Sequence, residues 1–165
     1  MAKTRKSRTS KTQNQPTNIL VPVDFSPVSR FALIHAASVV NKSSRIILLH
    51  VIGPADESNP GISITQARER LSEFCKNDGV IAPELIAFDV RNGTPFREIL
   101  QYVEENNVGM IVLGVHTSPF LDGIALGHTV DRVSRYAPCP VLLVREKDGT
   151  VITSKRAVRK HARIP

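Results

Sequence analysis

Gly114 and Gly127, with His128 and Thr129 directly after the second, bracket the stretch GVHTSPFLDGIALGHT. An apolar run, Met110-Ile111-Val112-Leu113, precedes it, and an amphipathic segment from Val130 to Ala137 follows. A strand that enters a glycine-bearing loop and opens onto a helix suits one chemistry above others, the binding of phosphate. Glycines let the backbone come close to an anion, and the first N–H groups of the helix, aided by its dipole, point at it. The two glycines either permit that approach or only make the turns. Asp24 is the second candidate. It lies just past the apolar run Ile19-Leu20-Val21 and Pro22. There it reads as a nucleotide contact, as a helper in holding a divalent ion, or as a cap on the next helix.

The remaining reactive side chains fit no catalytic pattern. His116 and His128 belong to no HExxH spacing and have no cysteine or carboxylate cluster beside them, so they read as a loop histidine and a helix-start histidine. Ser26 and Ser118 lack the strand-turn-helix glycines of a nucleophile elbow. Glu98, Glu104 and Glu105 read as a solvated helix face. With no Walker lysine and no evident base to position water, any hydrolysis of a nucleotide is expected to be slow. No catalytic residue and no metal ligand is assigned.

The elements that must position these residues follow from periodicity. Continuous apolar runs at Ile19–Val21, Ile46–Leu49, Met110–Leu113 and Val141–Val144, with ELIAFDV at Glu84–Val90, read as buried strands. Between them lie segments with apolar residues at helical spacing. Ser26-Pro27 and Thr94-Pro95 each supply a cap followed by a proline suited to the first helical position. A further helix is expected over Ile62 to Asp78, with Gly79 as its stop. Strands alternate with helices, which predicts a parallel α/β sheet covered on both faces. The ligand crevice of such a sheet lies beyond the C-terminal strand ends, where the strand order reverses. Asp24, Val51 and Gly114 all sit at such ends.

A chain of 165 residues suits one domain. Its net charge of +7 is unevenly placed. Residues 1–17 carry five Lys/Arg and no acid, and residues 145–165 carry seven Lys/Arg against two acids. The middle is acidic. The expected division is a basic tail over 1–17, a folded domain over 18–145 and a second basic tail over 146–165, both tails disordered or loosely docked. Nucleic-acid binding through the tails is the less favoured reading, because no aromatics interleave the N-terminal basic residues and no nucleic-acid-binding signature appears. Cys75 and Cys139 form no CxxC and read as reduced thiols. No apolar run has the length of a membrane span and no signal-peptide core is present, so a cytoplasmic protein with no membrane partner is expected.

In four places the chain resembles the universal stress protein family: ILVPVDFS at Ile19–Ser26, LLHV at Leu48–Val51, GTPFREIL at Gly93–Leu100, and Gly114 to Val144 with its ending APCPVLLV. The resemblance spans about Asn18 to Arg145. It implies an open parallel five-stranded sheet in the order 3-2-1-4-5, with helices on both faces, Rossmann-like and similar to the adenine nucleotide alpha hydrolases. It also implies a homodimer formed through the fifth strand, Val141–Val144. Family members that bind ATP carry G-x2-G-x9-G followed by Ser or Thr. Carried over, Pro22, Val23, Asp24 and Val51 would face the adenosine, and Gly114, Gly127 and Thr129 would line the ribose and phosphates. The chain departs from the motif at Thr117, the middle glycine position, and at His128, the hydroxyl position. The His128 backbone N–H stays available to a phosphate, and its ring can donate as well. The resemblance therefore implies a stress-response or signalling module that binds ATP or a related adenine nucleotide, with magnesium, and at most a slow ATPase. The alternative is an interaction scaffold of the same family that binds no nucleotide.

Overall fold

The computed structural model describes residues 18–41, 43–54, 62–76, 82–116, 127–147 and 150–155. The N-terminal basic segment, residues 55–61, Gly79, Thr117, Ser118 and residues 156–165 lie outside the described residues.

Among the described residues five strands and four α-helices alternate along the chain. They are β1 (Asn18–Pro22), α1 (Pro27–Val39), β2 (Ile46–Ile52), α2 (Ile64–Lys76), β3 (Ile86–Asn92), α3 (Pro95–Glu105), β4 (Val108–Gly114), α4 (His128–Tyr136) and β5 (Val141–Lys147). A sixth strand, β6 (Thr150–Lys155), follows. The sheet order is β3-β2-β1-β4-β5-β6. The first five strands run parallel in the expected order 3-2-1-4-5. β3 starts two residues later than the apolar pattern predicts, because Pro83–Leu85 form a 3-10 turn that delays the extended run.

The inner runs Ile19–Val21, Ile46–Leu49 and Met110–Leu113 are apolar at every position because both faces of the sheet are covered there. Ile19 and Val21 of β1, with Ile46 and Leu48 of β2, face Ala32, Leu33 and Ala36 of α1 and Leu71 and Phe74 of α2. The intervening Leu20, Ile47 and Leu49 face the other way, against Ile99 and Val103 of α3 and Val133 of α4. Each such buried leucine or isoleucine contributes about 1.5–3 kcal/mol relative to exposure.

Ser26 caps α1, its Oγ accepting from the Ser29 N–H. Thr94 holds the same place before α3, but its hydroxyl makes no capping bond. Only its carbonyl serves, accepting from Arg97 and Glu98. α3 ends at Asn106-Asn107, where Asn107 takes φ 48°.

β6 departs from the expected basic tail. It runs antiparallel along the outer edge of β5, from Leu142↔Lys155 to Lys147↔Thr150. Thr150, Val151, Ile152 and Thr153 are all β-branched, which favours extended pairing over a solvated tail. The resemblance places a partner's fifth strand at that edge, and here the chain's own sixth strand fills it.

Candidate functional site

β1 lies between β2 and β4, so the chain leaves β1 and β4 toward opposite faces of the sheet. A crevice opens between those exits, at the strand ends. It forms a cavity of about 440 Å³, within the range of small-molecule sites. Pro22, Val23, Asp24, Val51, Gly114, Gly127, His128 and Thr129 all line it. Residues far apart in the chain are brought together by the parallel register.

The strand ends are held by backbone bonds that prolong the ladders. The Val23 N–H donates to the Leu49 carbonyl at 2.8 Å, and the Val115 N–H to the Val144 carbonyl at 2.7 Å. The floor is apolar, with Ile99 and Leu113 both buried. His50 forms part of the wall. Its Nδ1 lies 2.8 Å from the Val23 carbonyl oxygen, and because a carbonyl only accepts, Nδ1 carries the proton.

Asp24 divides its two oxygens between structure and the cavity mouth. Oδ1 accepts from the Ser26 N–H at 3.0 Å, from the Ser26 hydroxyl, and from the Ser29 hydroxyl at 2.8 Å. These bonds tie the turn between β1 and α1. Oδ2 lies 3.5 Å from His116 Nε2. Both of those side chains are 63% exposed, so the pair is a weak surface contact that a ligand can displace. Burial raises the Asp24 pKa, but the hydrogen bonds from Ser26, Ser29 and His116 outweigh it, and the net shift is downward. Asp24 is therefore an anion at neutral pH. In the sequence Asp24 reads as a nucleotide contact, a helper in holding a divalent ion, or a helix cap. The structure gives Oδ1 to the turn and leaves Oδ2 at the cavity mouth.

The two glycines part company. A Cβ on Gly114 would sit 2.7 Å from the backbone carbon and oxygen of Val28 in α1. That position is glycine because β4 and α1 touch there. A Cβ on Gly127 would meet no described residue within 4 Å. Gly127 is the N-cap of α4, and its carbonyl accepts from Asp131. Its missing side chain leaves the first turn of α4 open to the cavity. The N–H groups there have no partner within the helix. His128 stands at the first position of α4, with its ring edge-on to Phe96 at 5.4 Å between centroids. Its ring is thereby held against a neighbouring side chain at the cavity wall. Thr117 lies outside the described residues, so the middle of the glycine motif adds nothing to this geometry.

Phe25 gave no signal in the sequence. It takes φ 63°, an uncommon conformation for a bulky residue, which costs about 1–3 kcal/mol. Its ring packs against His50 at 4.5 Å and Phe74 at 5.9 Å, and the Arg70 guanidinium lies over it at 4.4 Å. This cluster holds the backward turn that carries Asp24 to the cavity. Nothing in the spacing of residues signals a left-handed phenylalanine, because the cause is tertiary packing.

Among the described residues no group of three His, Cys, Asp or Glu is placed to hold a metal ion. Neither Cys75 nor Cys139 is in a disulfide, and burial pushes the Cys139 thiol up. No helix of the described residues is long and apolar enough to cross a membrane.

Residues 16–145 match the model of the universal stress protein family. The chain belongs to that family. Universal stress protein MJ0577 of Methanocaldococcus jannaschii is 30% identical over 155 residues, spanning 79% of this chain and 96% of that protein. Universal stress protein MJ0531 of the same organism is 26% identical over 148 residues, spanning 81% and 85%. The solved structure of MJ0577 superposes with a TM-score of 0.59 at 29% identity, covering 81% of this chain and 99% of that one. A universal stress protein family member from Arabidopsis thaliana, solved with AMP bound, shares the fold at a TM-score of 0.56 and 21% identity, covering 81% of this chain and 94% of that one.

Proposed function

We propose that the cavity binds an adenine nucleotide, ATP or a close relative, and that the protein acts as a nucleotide-responsive stress or signalling module. The observation that carries this reading is the convergence of all eight candidate residues on one cavity of about 440 Å³. Pro22, Val23 and Val51 offer an apolar wall to the adenosine, with Asp24 beside them at the mouth. Gly127, His128 and Thr129 present backbone N–H donors to the phosphates. Gly114 lines the cavity too, but its lack of a side chain serves the contact with α1. Family structures with AMP and with cAMP are consistent with an adenine ligand.

The fit to a nucleotide rests on the open N-terminus of α4 and on an apolar floor next to the Asp24 carboxylate. A magnesium ion would be held by the nucleotide's phosphates and water, with Asp24 as the carboxylate within the site. The role proposed is binding rather than turnover, in a cytoplasmic setting.

Isothermal titration of ATP with magnesium, and of AMP, tests the reading. Saturable heat in the native chain that Gly127→Trp abolishes is the expected result. No heat and no shift in melting temperature would sink it and leave the interaction scaffold as the reading. Gly127→Trp suits this test because the added Cβ meets no described residue within 4 Å.

A further inference from the structure

β5 has two hydrogen-bonding edges, and both are taken. On one side it pairs in parallel with β4, from Ile111↔Val141 to Gly114↔Val144. On the other, β6 pairs antiparallel with it across six positions. Val141, Leu142 and Val144 are buried within it. Without β6, this apolar strand would present a row of free N–H and C=O groups, a template for another chain. The simplest chain to satisfy it is a second copy. Two identical edges paired antiparallel about a two-fold axis complete each other's ladders. β6 uses the same groups in the same antiparallel sense.

We propose that β6 is an intramolecular stand-in for a second copy's fifth strand, so that β6 and a second copy compete for one edge of β5. Two features of the sequence support β6 in this role. Asp148-Gly149 separates the paired Lys147 and Thr150, and Asp-Gly between extended segments is a strong two-residue hairpin signal. The four β-branched residues from Thr150 to Thr153 then favour a strand. The competition holds whether or not the cavity takes a nucleotide.

Sedimentation equilibrium on the full chain and on the double variant Ile152→Pro/Thr153→Pro tests it. Adjacent prolines remove the donor that faces β5 whichever of the two it is, and so release β6. Self-association about tenfold or more tighter in the variant is expected. Unchanged or weaker self-association in a folded variant overturns the proposal. Amide hydrogen exchange on the unaltered chain gives an independent reading should the prolines impair folding. The amides of Leu142 to Arg145 that face away from β4 are expected to be protected equally at low and high protein concentration. Protection that appears only as concentration rises would mean that a second copy, and not β6, supplies the pairing.

Discussion

At Gly114 an added Cβ would lie 2.7 Å from the backbone of Val28, while at Gly127 it would meet no described residue within 4 Å. Both glycines line the same cavity, at opposite ends of the same loop. One is glycine because two elements of the fold touch. The other leaves space open at a helix N-terminus. A glycine motif read from sequence merges these two reasons, and only a substitution that separates stability from binding distinguishes them.

The largest effect is expected at the closed end. Gly114→Ala forces β4 and α1 apart and should cost about 1–3 kcal/mol, as overpacking does. Thermal melting would show it as a drop of roughly 2–4 °C per kcal/mol for a chain of this size. An unchanged melting temperature would break the contrast between the two glycines. At the open end, Gly127→Trp should leave the melting temperature nearly unmoved, within about 0.5 kcal/mol as for a surface change. Its nucleotide affinity should fall by about tenfold or more, roughly 1.4 kcal/mol. A large loss of stability there would mean the position is structural after all.

A third substitution tests the turn that Gly114 packs behind. Ser26→Ala removes the cap on α1 and one donor to Asp24, and should cost about 1 kcal/mol in urea unfolding. A neutral result would shift the weight of that turn onto the Phe25 cluster.

The smallest effect expected is on pH dependence. The folded state depresses the Asp24 pKa, so its contribution to stability is present above the ordinary carboxylate value of about 4 and is lost as pH falls through the depressed folded value. Comparing urea midpoints of the native chain and Asp24→Asn across this range should show a gap at neutral pH that narrows in acid. A gap that widens in acid would contradict the hydrogen-bond network drawn around Oδ1.

Much of the fold could be read from local pattern. Strands buried on both faces need apolar residues at every position, and Ile46 to Leu49 meets that need without any knowledge of neighbours. Ser26-Pro27 and Thr94-Pro95 mark helix starts because capping and a fixed φ act within a few residues. The cavity residues could be named because a parallel sheet brings its strand ends to one side. The C-terminal strand was open to the same reasoning through Asp148-Gly149 and Thr150–Thr153, but the surrounding charge pointed to a solvated tail.

Other features depend on distance in space. The sequence alone established an alternating α/β chain, its helix starts and the glycines flanking a loop, because these rest on propensity and periodicity over short spans. Whether Gly114 faces a ligand or a helix depends on how closely α1 packs on β4, and no local pattern encodes that separation. The left-handed turn at Phe25 is held by His50, Phe74 and Arg70 from two other elements. The pairing of Asp24 with His116 joins the ends of β1 and β4. Each of these rests on long-range packing, where small distances between remote segments decide what a residue does.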